Sequence, residues 1–163
     1  MRPCGCRGHL CAAVELVEAC NRRTGIIADP PIADVYEAVA DPDQLSAYFT
    51  TGGAHGRLET GRDVSWDFAD FPGRFPVNVV EAHPPHLIVI EWEGDHALAS
   101  TGRTRVTFEF AAIDDGARTL VTISESAWSA TPAGARSAFD NCEGWTSMLQ
   151  ALKALDRAWN QPA

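Results

Sequence analysis

The sequence predicts an α+β fold: a curved antiparallel sheet of about six or seven strands wrapped around one long C-terminal helix, with two short helices after the first strand. Three observations predict it. Trp145, Met148, Leu149, Leu152, Leu155 and Trp159 fall at i, i+3, i+4, i+7, i+10 and i+14, one apolar stripe on a helix, with Thr146, Gln150, Lys153 and Arg157 largely on the other side. The middle of the chain alternates apolar and polar residues, the pattern of strands with one buried face. The connections between those strands are short and carry turn residues, which joins neighbours antiparallel rather than through βαβ crossovers.

The elements follow in order. Thr24 to Ala28 is a short apolar run stopped by Asp29-Pro30-Pro31, a first strand. Pro31 suits the first turn of a helix whose buried face is Ile32, Val35, Tyr36 and Val39. Asp41-Pro42 ends that helix and starts another, with Asp41 as N-cap, Pro42 in the first turn, and Leu45 and Phe49 facing inward. After Thr51-Gly52-Gly53 the period changes. Val64, Trp66 and Phe68 share one strand face, Phe75, Val77 and Val79 repeat the pattern, and Leu87 to Trp92 reads as a central strand. Val106, Phe108 and Phe110 alternate with polar neighbours, and Val121 and Ile123 continue the theme. Ala69-Asp70-Phe71-Pro72-Gly73, His83-Pro84-Pro85-His86 and Asp114-Asp115-Gly116 read as turns. Thr131-Pro132 supplies the cap and first turn of the closing helix, which runs to about Ala158, and Gly144 within it marks a bend or a close approach to the sheet.

Composition bounds the partners. The 163 residues suit a single domain over 23–160, preceded by a weakly structured extension over 1–22. In that extension Leu10, Val14 and Val17 fit a helical face, and Ala13 to Leu16 fits a strand nearly as well. A net charge of -9 argues against nucleic acid and anionic membrane surfaces, which both recruit basic patches. No apolar run reaches the length of about 18 residues that spans a bilayer. Glu15 and Glu18 interrupt the apolar run that follows Arg2 and Arg7, so the cytoplasm is expected rather than export. Cys4, Cys6, Cys11 and Cys20 crowd the N-terminus, with His9 near them and Cys142 far away. Their spacing lacks the paired C-x-x-C of a zinc site, so reduced thiols are expected, with no metal and no cofactor.

Several of these segments, taken together, resemble the helix-grip (START-like, SRPBCC) superfamily, and within it the AHSA group, named for activator-of-heat-shock-protein-ATPase homologues. The carriers are Ala28-Asp29-Pro30-Pro31 with Val35-Tyr36-Glu37-Ala38-Val39-Ala40-Asp41-Pro42, then Tyr48-Phe49, then Pro84-Pro85-His86-Leu87 leading to Trp92. Thr122-Ile123-Ser124-Glu125-Ser126-Ala127-Trp128 stands where many members have T-V-x-E-S-G-F, and Asn141-Cys142-Glu143-Gly144-Trp145 precedes Leu149 and Leu152. The chain departs from the family pattern at Tyr48 (Trp in the family) and Ala127 (Gly). The resemblance covers roughly residues 23–158. It implies the fold given above, a pocket between sheet and helix, a role in stress response, and contact with a chaperone.

Catalytic motifs are absent: no G-x-S-x-G, H-E-x-x-H or Walker loop is present. Gly52-Gly53-Ala54-His55-Gly56 follows a helix, so it reads as a plain loop, and His83 with His86 reads as a solvated turn. Cys142 has no readable base beside it. Glu125 shares strand parity with Val121 and Ile123, so its carboxylate points toward the helix or a cavity. It either anchors a ligand or moves a proton there, or it accepts hydrogen bonds from backbone donors near the closing helix. If sheet and helix enclose a pocket, its expected walls are Trp66, Phe68, Phe75, Val77, Trp92, Phe108, Phe110, Trp145 and Met148, with Tyr48 and Glu125 as polar contacts. Three functions follow: a binder of a small apolar or aromatic ligand, acting as monomer or weak homodimer; a chaperone regulator; and a cyclase- or hydrolase-like enzyme, for which no residue pair argues.

Removal of residues 1–20 is expected to leave the fold intact, because the recognisable core begins near Arg23. Thermal unfolding of the truncated chain tests this. A midpoint lowered by more than about 5 °C would mean that the extension docks and stabilises by more than about 1 kcal/mol.

Overall fold

The computed structural model describes residues 22–28, 31–93 and 102–159. Strand β1 (Arg22–Ala28) is followed by helices α1 (Ile32–Ala40) and α2 (Pro42–Tyr48). Six more strands come next: β2 (Gly53–His55), β3 (Asp63–Phe68), β4 (Phe71–His83), β5 (Leu87–Trp92), β6 (Thr104–Ile113) and β7 (Arg118–Ser126). Helix α3 (Pro132–Trp159) closes the chain. The strands form one antiparallel sheet in the order β1-β7-β6-β5-β4-β3-β2. The chain therefore meanders from β2 to β7, and β1 joins the far edge beside β7.

Local chemistry explains where the helices start. Asp41 Oδ1 accepts from the backbone N–H groups of Asp43 and Gln44, both at 3.0 Å, and Pro42 fills the first helical position of α2. Thr131 does the same for α3, its Oγ1 accepting from Gly134 N–H at 3.1 Å. The α3 stripe is buried at Trp145, Met148, Leu149 and Leu152, with Leu155 packed at its border. The side chain of Trp159 lies outside the described residues, as does the extension with its four cysteines and His9. Burial of large apolar side chains contributes about 1.5–3 kcal/mol each, so this stripe and the facing sheet carry much of the folding free energy.

Cross-strand register decides which residues face the helix. Ile88 pairs with Phe108, Ile90 with Val106 and Trp92 with Thr104, while Phe108 pairs with Ile123 and Val106 with Glu125. Residues directly opposite point to the same face. One inner surface therefore carries Trp92, Thr104 and Glu125 together.

Three expectations need correction. The loop at Gly52–Gly56 contains β2, a three-residue edge strand too short to show alternation, with Gly53 at φ +111. The turn at 69–73 is only Ala69 and Asp70. Phe71 already pairs with Phe68 and Arg74 with Asp67, which leaves Pro72 and Gly73 as two extra residues on β4. Gly73, at φ +109, supplies a backbone conformation that other residues rarely adopt. Finally, the close approach between helix and sheet is at Gly25 of β1, not Gly144. A Cβ on Gly25 would lie 3.3 Å from Leu149 Cδ2, whereas one on Gly144 would meet nothing within 4 Å.

Ala127 sits at φ +70, just after β7, where the family pattern has Gly. A Cβ in this left-handed region costs roughly 1–2 kcal/mol. Ala127→Gly is expected to raise stability by about 1 kcal/mol, less than the strain removed because glycine gains freedom in the unfolded chain. Equilibrium urea unfolding reads this directly as a higher midpoint at unchanged slope.

Candidate functional site

Two adjoining regions lie between sheet and helix, one packed and one open. The packed region centres on Trp145. Its ring lies 5.6 Å from each of Phe49, Trp92 and Phe108, stacked on the first and edge-on to the last. Trp66 joins through Phe49 at 5.8 Å and Trp92 at 5.9 Å. Such offset and edge-to-face pairs add about 0.5–1.5 kcal/mol each beyond their area.

Within this apolar cluster sits the Glu125 carboxylate, 2 % exposed. Its Oε1 accepts from Trp92 Nε1 at 3.0 Å and from Thr104 Oγ1 at 2.6 Å. Its Oε2 accepts from Trp145 Nε1 at 2.8 Å, and Asn141 Nδ2 reaches both oxygens at 3.3 Å. Among the described residues the donors are thus side chains from β5, β6 and α3, not the backbone donors expected from strand position. The carboxylate ties the sheet to the helix and fixes the planes of two indoles. Trp66 offers a contrast, because its buried indole N–H meets no acceptor among the described residues.

The open region is a cleft of about 960 Å³. One wall is the end of α2 and the residues after it, Tyr48, Phe49 and Thr51. The second is the β3–β4 hairpin, through Phe68, Asp70, Phe71 and Phe75. The third is α3, through Asn141, Glu143, Gly144, Ser147, Met148 and Ala151. The irregularity at Pro72-Gly73 sits just beyond Phe71, which is 62 % exposed on the cleft rim. The Tyr48 hydroxyl donates to the Ala38 carbonyl at 3.1 Å, and burial pushes its phenol well above the usual range, so it stays protonated.

The sequence-derived wall residues divide between these regions. Tyr48, Phe68, Phe75 and Met148 come together along the cleft. Trp66, Val77, Trp92, Phe108, Phe110, Glu125 and Trp145 lie in the packed interior, with Phe110 against Tyr36 at 5.4 Å. Sequence reasoning missed Phe49, Thr51, Asp70 and Phe71 on one side of the cleft, and Asn141, Glu143, Gly144, Ser147 and Ala151 on α3. One signal was available. Asn141, Gly144, Met148 and Ala151 recur at i, i+3, i+7 and i+10, a stripe of mostly small and polar residues beside the apolar one.

His83 and His86 are exposed, with His83 Nε2 2.5 Å from Glu81 Oε1. Cys142 is a buried thiol. Among the described residues no group of three His, Cys, Asp or Glu side chains is placed to hold a metal ion. No helix among them is long and apolar enough to cross a membrane.

The architecture is that of a helix-grip protein, with an open cleft between hairpin and closing helix. The family model described as Activator of Hsp90 ATPase homolog 1-like protein matches residues 29–156, and the chain belongs to that family. A protein of Mesorhizobium loti has a TM-score of 0.67 at 18% identity, with 86% of this chain and 100% of that chain covered. An HSP90 activator from Plasmodium falciparum has a TM-score of 0.62 at 21% identity, with 82% and 93% covered. The Aha1 dimer from Colwellia psychrerythraea gives 0.59 at 18% identity, with 81% and 96% covered. At these identities the structural likeness shows the fold alone. Curated proteins give no match.

Glu125→Gln is expected to destabilise the fold by about 1–3 kcal/mol, because an amide N–H₂ would replace one acceptor and face the donors of Trp145 and Asn141. Thermal unfolding and near-ultraviolet dichroism of the tryptophans check this. Glu143→Gln, on the exposed rim, serves as the control and leaves the midpoint in place.

Proposed function

We propose that this protein binds a small, mainly apolar or aromatic molecule in the cleft between α2, the β3–β4 hairpin and α3. The observation that carries the reading is the aromatic wall of Tyr48, Phe49, Phe68, Phe71 and Phe75 around an open volume of about 960 Å³. Ligand sites are commonly concave, apolar and about 300–1,000 Å³ in volume. Gly144 adds a second argument. It is exposed in the middle of α3, where glycine costs about 1 kcal/mol relative to alanine. No neighbour within 4 Å demands its small size. What its missing side chain leaves is room in the cleft. This moves the expected binding volume sideways, from the space beneath Trp145 to the flank of the helix.

A second reading, contact with an Hsp90-type chaperone, is supported by the family description and by the likeness to the Plasmodium activator. Phe71 on the rim would be its apolar contact. The two readings separate by experiment. Saturable stimulation of a chaperone ATPase by this protein, abolished by Phe71→Ser, would favour the second.

Binding is tested with small aromatic and lipid-like compounds by chemical-shift mapping and thermal shift. A bound compound at one hundred times its dissociation constant stabilises by about 2.7 kcal/mol. Shifts are expected to cluster on the hairpin and the α3 flank. Gly144→Leu is the informative variant, because leucine improves helix propensity while filling the cleft. It is expected to unfold at an equal or higher temperature and to bind at least about tenfold more weakly, a loss of about 1.4 kcal/mol. Shifts scattered over the outer surface, or binding unchanged in Gly144→Leu, would sink the cleft reading.

A further inference from the structure

The side chains at the cleft offer more hydrogen-bond acceptors than donors. The Asn141 amide turns its Nδ2 toward the Glu125 carboxylate, which leaves its acceptor Oδ1 and one amide N–H. The Tyr48 O–H is engaged with the Ala38 carbonyl, so its oxygen offers a ligand lone pairs and no free donor. Asp70 on the hairpin and Glu143 on the helix are exposed carboxylates on opposite walls. Neither has an ion-pair partner among the described residues. Thr51 Oγ1 accepts from the Ala69 N–H at 2.9 Å, and with Ser147 it is a hydroxyl that serves either role. No Lys, Arg or His is among the described lining residues, and the whole chain carries a net charge of -9.

We infer that the cleft selects a cationic ligand, an amine on an aromatic or alkyl body, against its neutral and anionic counterparts. This rests on the cleft reading proposed above and specifies the chemistry that the cleft accepts. The apolar body lies along Phe49, Phe68 and Phe75. The ammonium, a group with donors and no acceptor, meets the carboxylates of Asp70 and Glu143 and the Asn141 oxygen. The exposed ring of Phe71 adds a face on which a cation is attracted. A fatty acid or aromatic carboxylate would instead bring its charge against two carboxylates with no cation to receive it.

The test uses three probes on one ring system: naphthylmethylamine, naphthylmethanol and naphthoate, titrated into the full chain by calorimetry and chemical-shift mapping at neutral pH. The amine is expected to bind about tenfold more tightly than the alcohol, from two partly screened ion pairs and a cation–π contact, and naphthoate more weakly than both. Raising the salt concentration is expected to narrow the amine-to-alcohol ratio. The double variant Asp70→Asn, Glu143→Gln narrows the same ratio at constant salt. Alcohol and amine binding the cleft equally, or naphthoate binding best, would overturn the cationic preference and leave the cleft reading standing. An amine preference that persists undiminished in the double variant would overturn its assignment to these carboxylates. If none of the three probes binds, both readings fall together.

Discussion

The Glu125 carboxylate is the constraint on which the packing of this protein depends. It lies among aromatic rings, where an unmatched polar group would be costly, and four side chains donate to it. Those donors come from β5, β6 and the closing helix, so one buried group sets the rotation of α3 over the sheet. Apolar packing alone tolerates small slips of a helix along a sheet. Directed hydrogen bonds from the Trp92 and Trp145 indoles do not, because the donor moves off its acceptor within a fraction of an ångström.

The open space follows from that arrangement. Trp145 is drawn down onto Glu125, and its ring brings Phe49, Trp92 and Phe108 into contact around it. The helix flank one step away carries Asn141, Gly144, Ser147 and Ala151, which line the cleft opposite the β3–β4 hairpin. The hairpin in turn keeps a regular ladder from Asp63 to Asp67 and carries two extra residues, Pro72 and Gly73, at its turn end. Packing and opening thus share one helix and differ by about 100° of rotation around it. Asn141 belongs to both, with its amide nitrogen on Glu125 and its place on the cleft wall, so the core network also orients a polar group of the candidate site.

Much of the fold was legible because its signals are local and periodic. The α3 stripe, the Asp41 and Thr131 caps, the alternation of β3, β4, β6 and β7 and the apolar run of β5 each rest on residues close in sequence. The inward direction of Glu125 was legible too, since strand parity is a covalent consequence of the pleat. Its partners were not. Trp92, Thr104, Asn141 and Trp145 are spread over three elements, and only the register of β5 on β6 and β6 on β7 brings them to one point.

By itself, then, the amino-acid sequence determined the type and order of every element but β2, the antiparallel sheet with its closing helix, and which face of the main strands and helices is apolar. Tertiary structure alone decided how that apolar surface is used. Aromatic residues of the same parity look equivalent in sequence. Yet Trp66 and Phe108 became core, while Phe68 and Phe75 came to line a cleft, because the place of α3 over the sheet depends on contacts between residues distant in sequence. The two glycines divide the same way. Gly25 is where the Leu149 and Lys153 side chains pass close, so a Cβ there would press on them, whereas a Cβ on Gly144 would meet no neighbour. The distinction lies in what another element places within 4 Å, which no local pattern encodes.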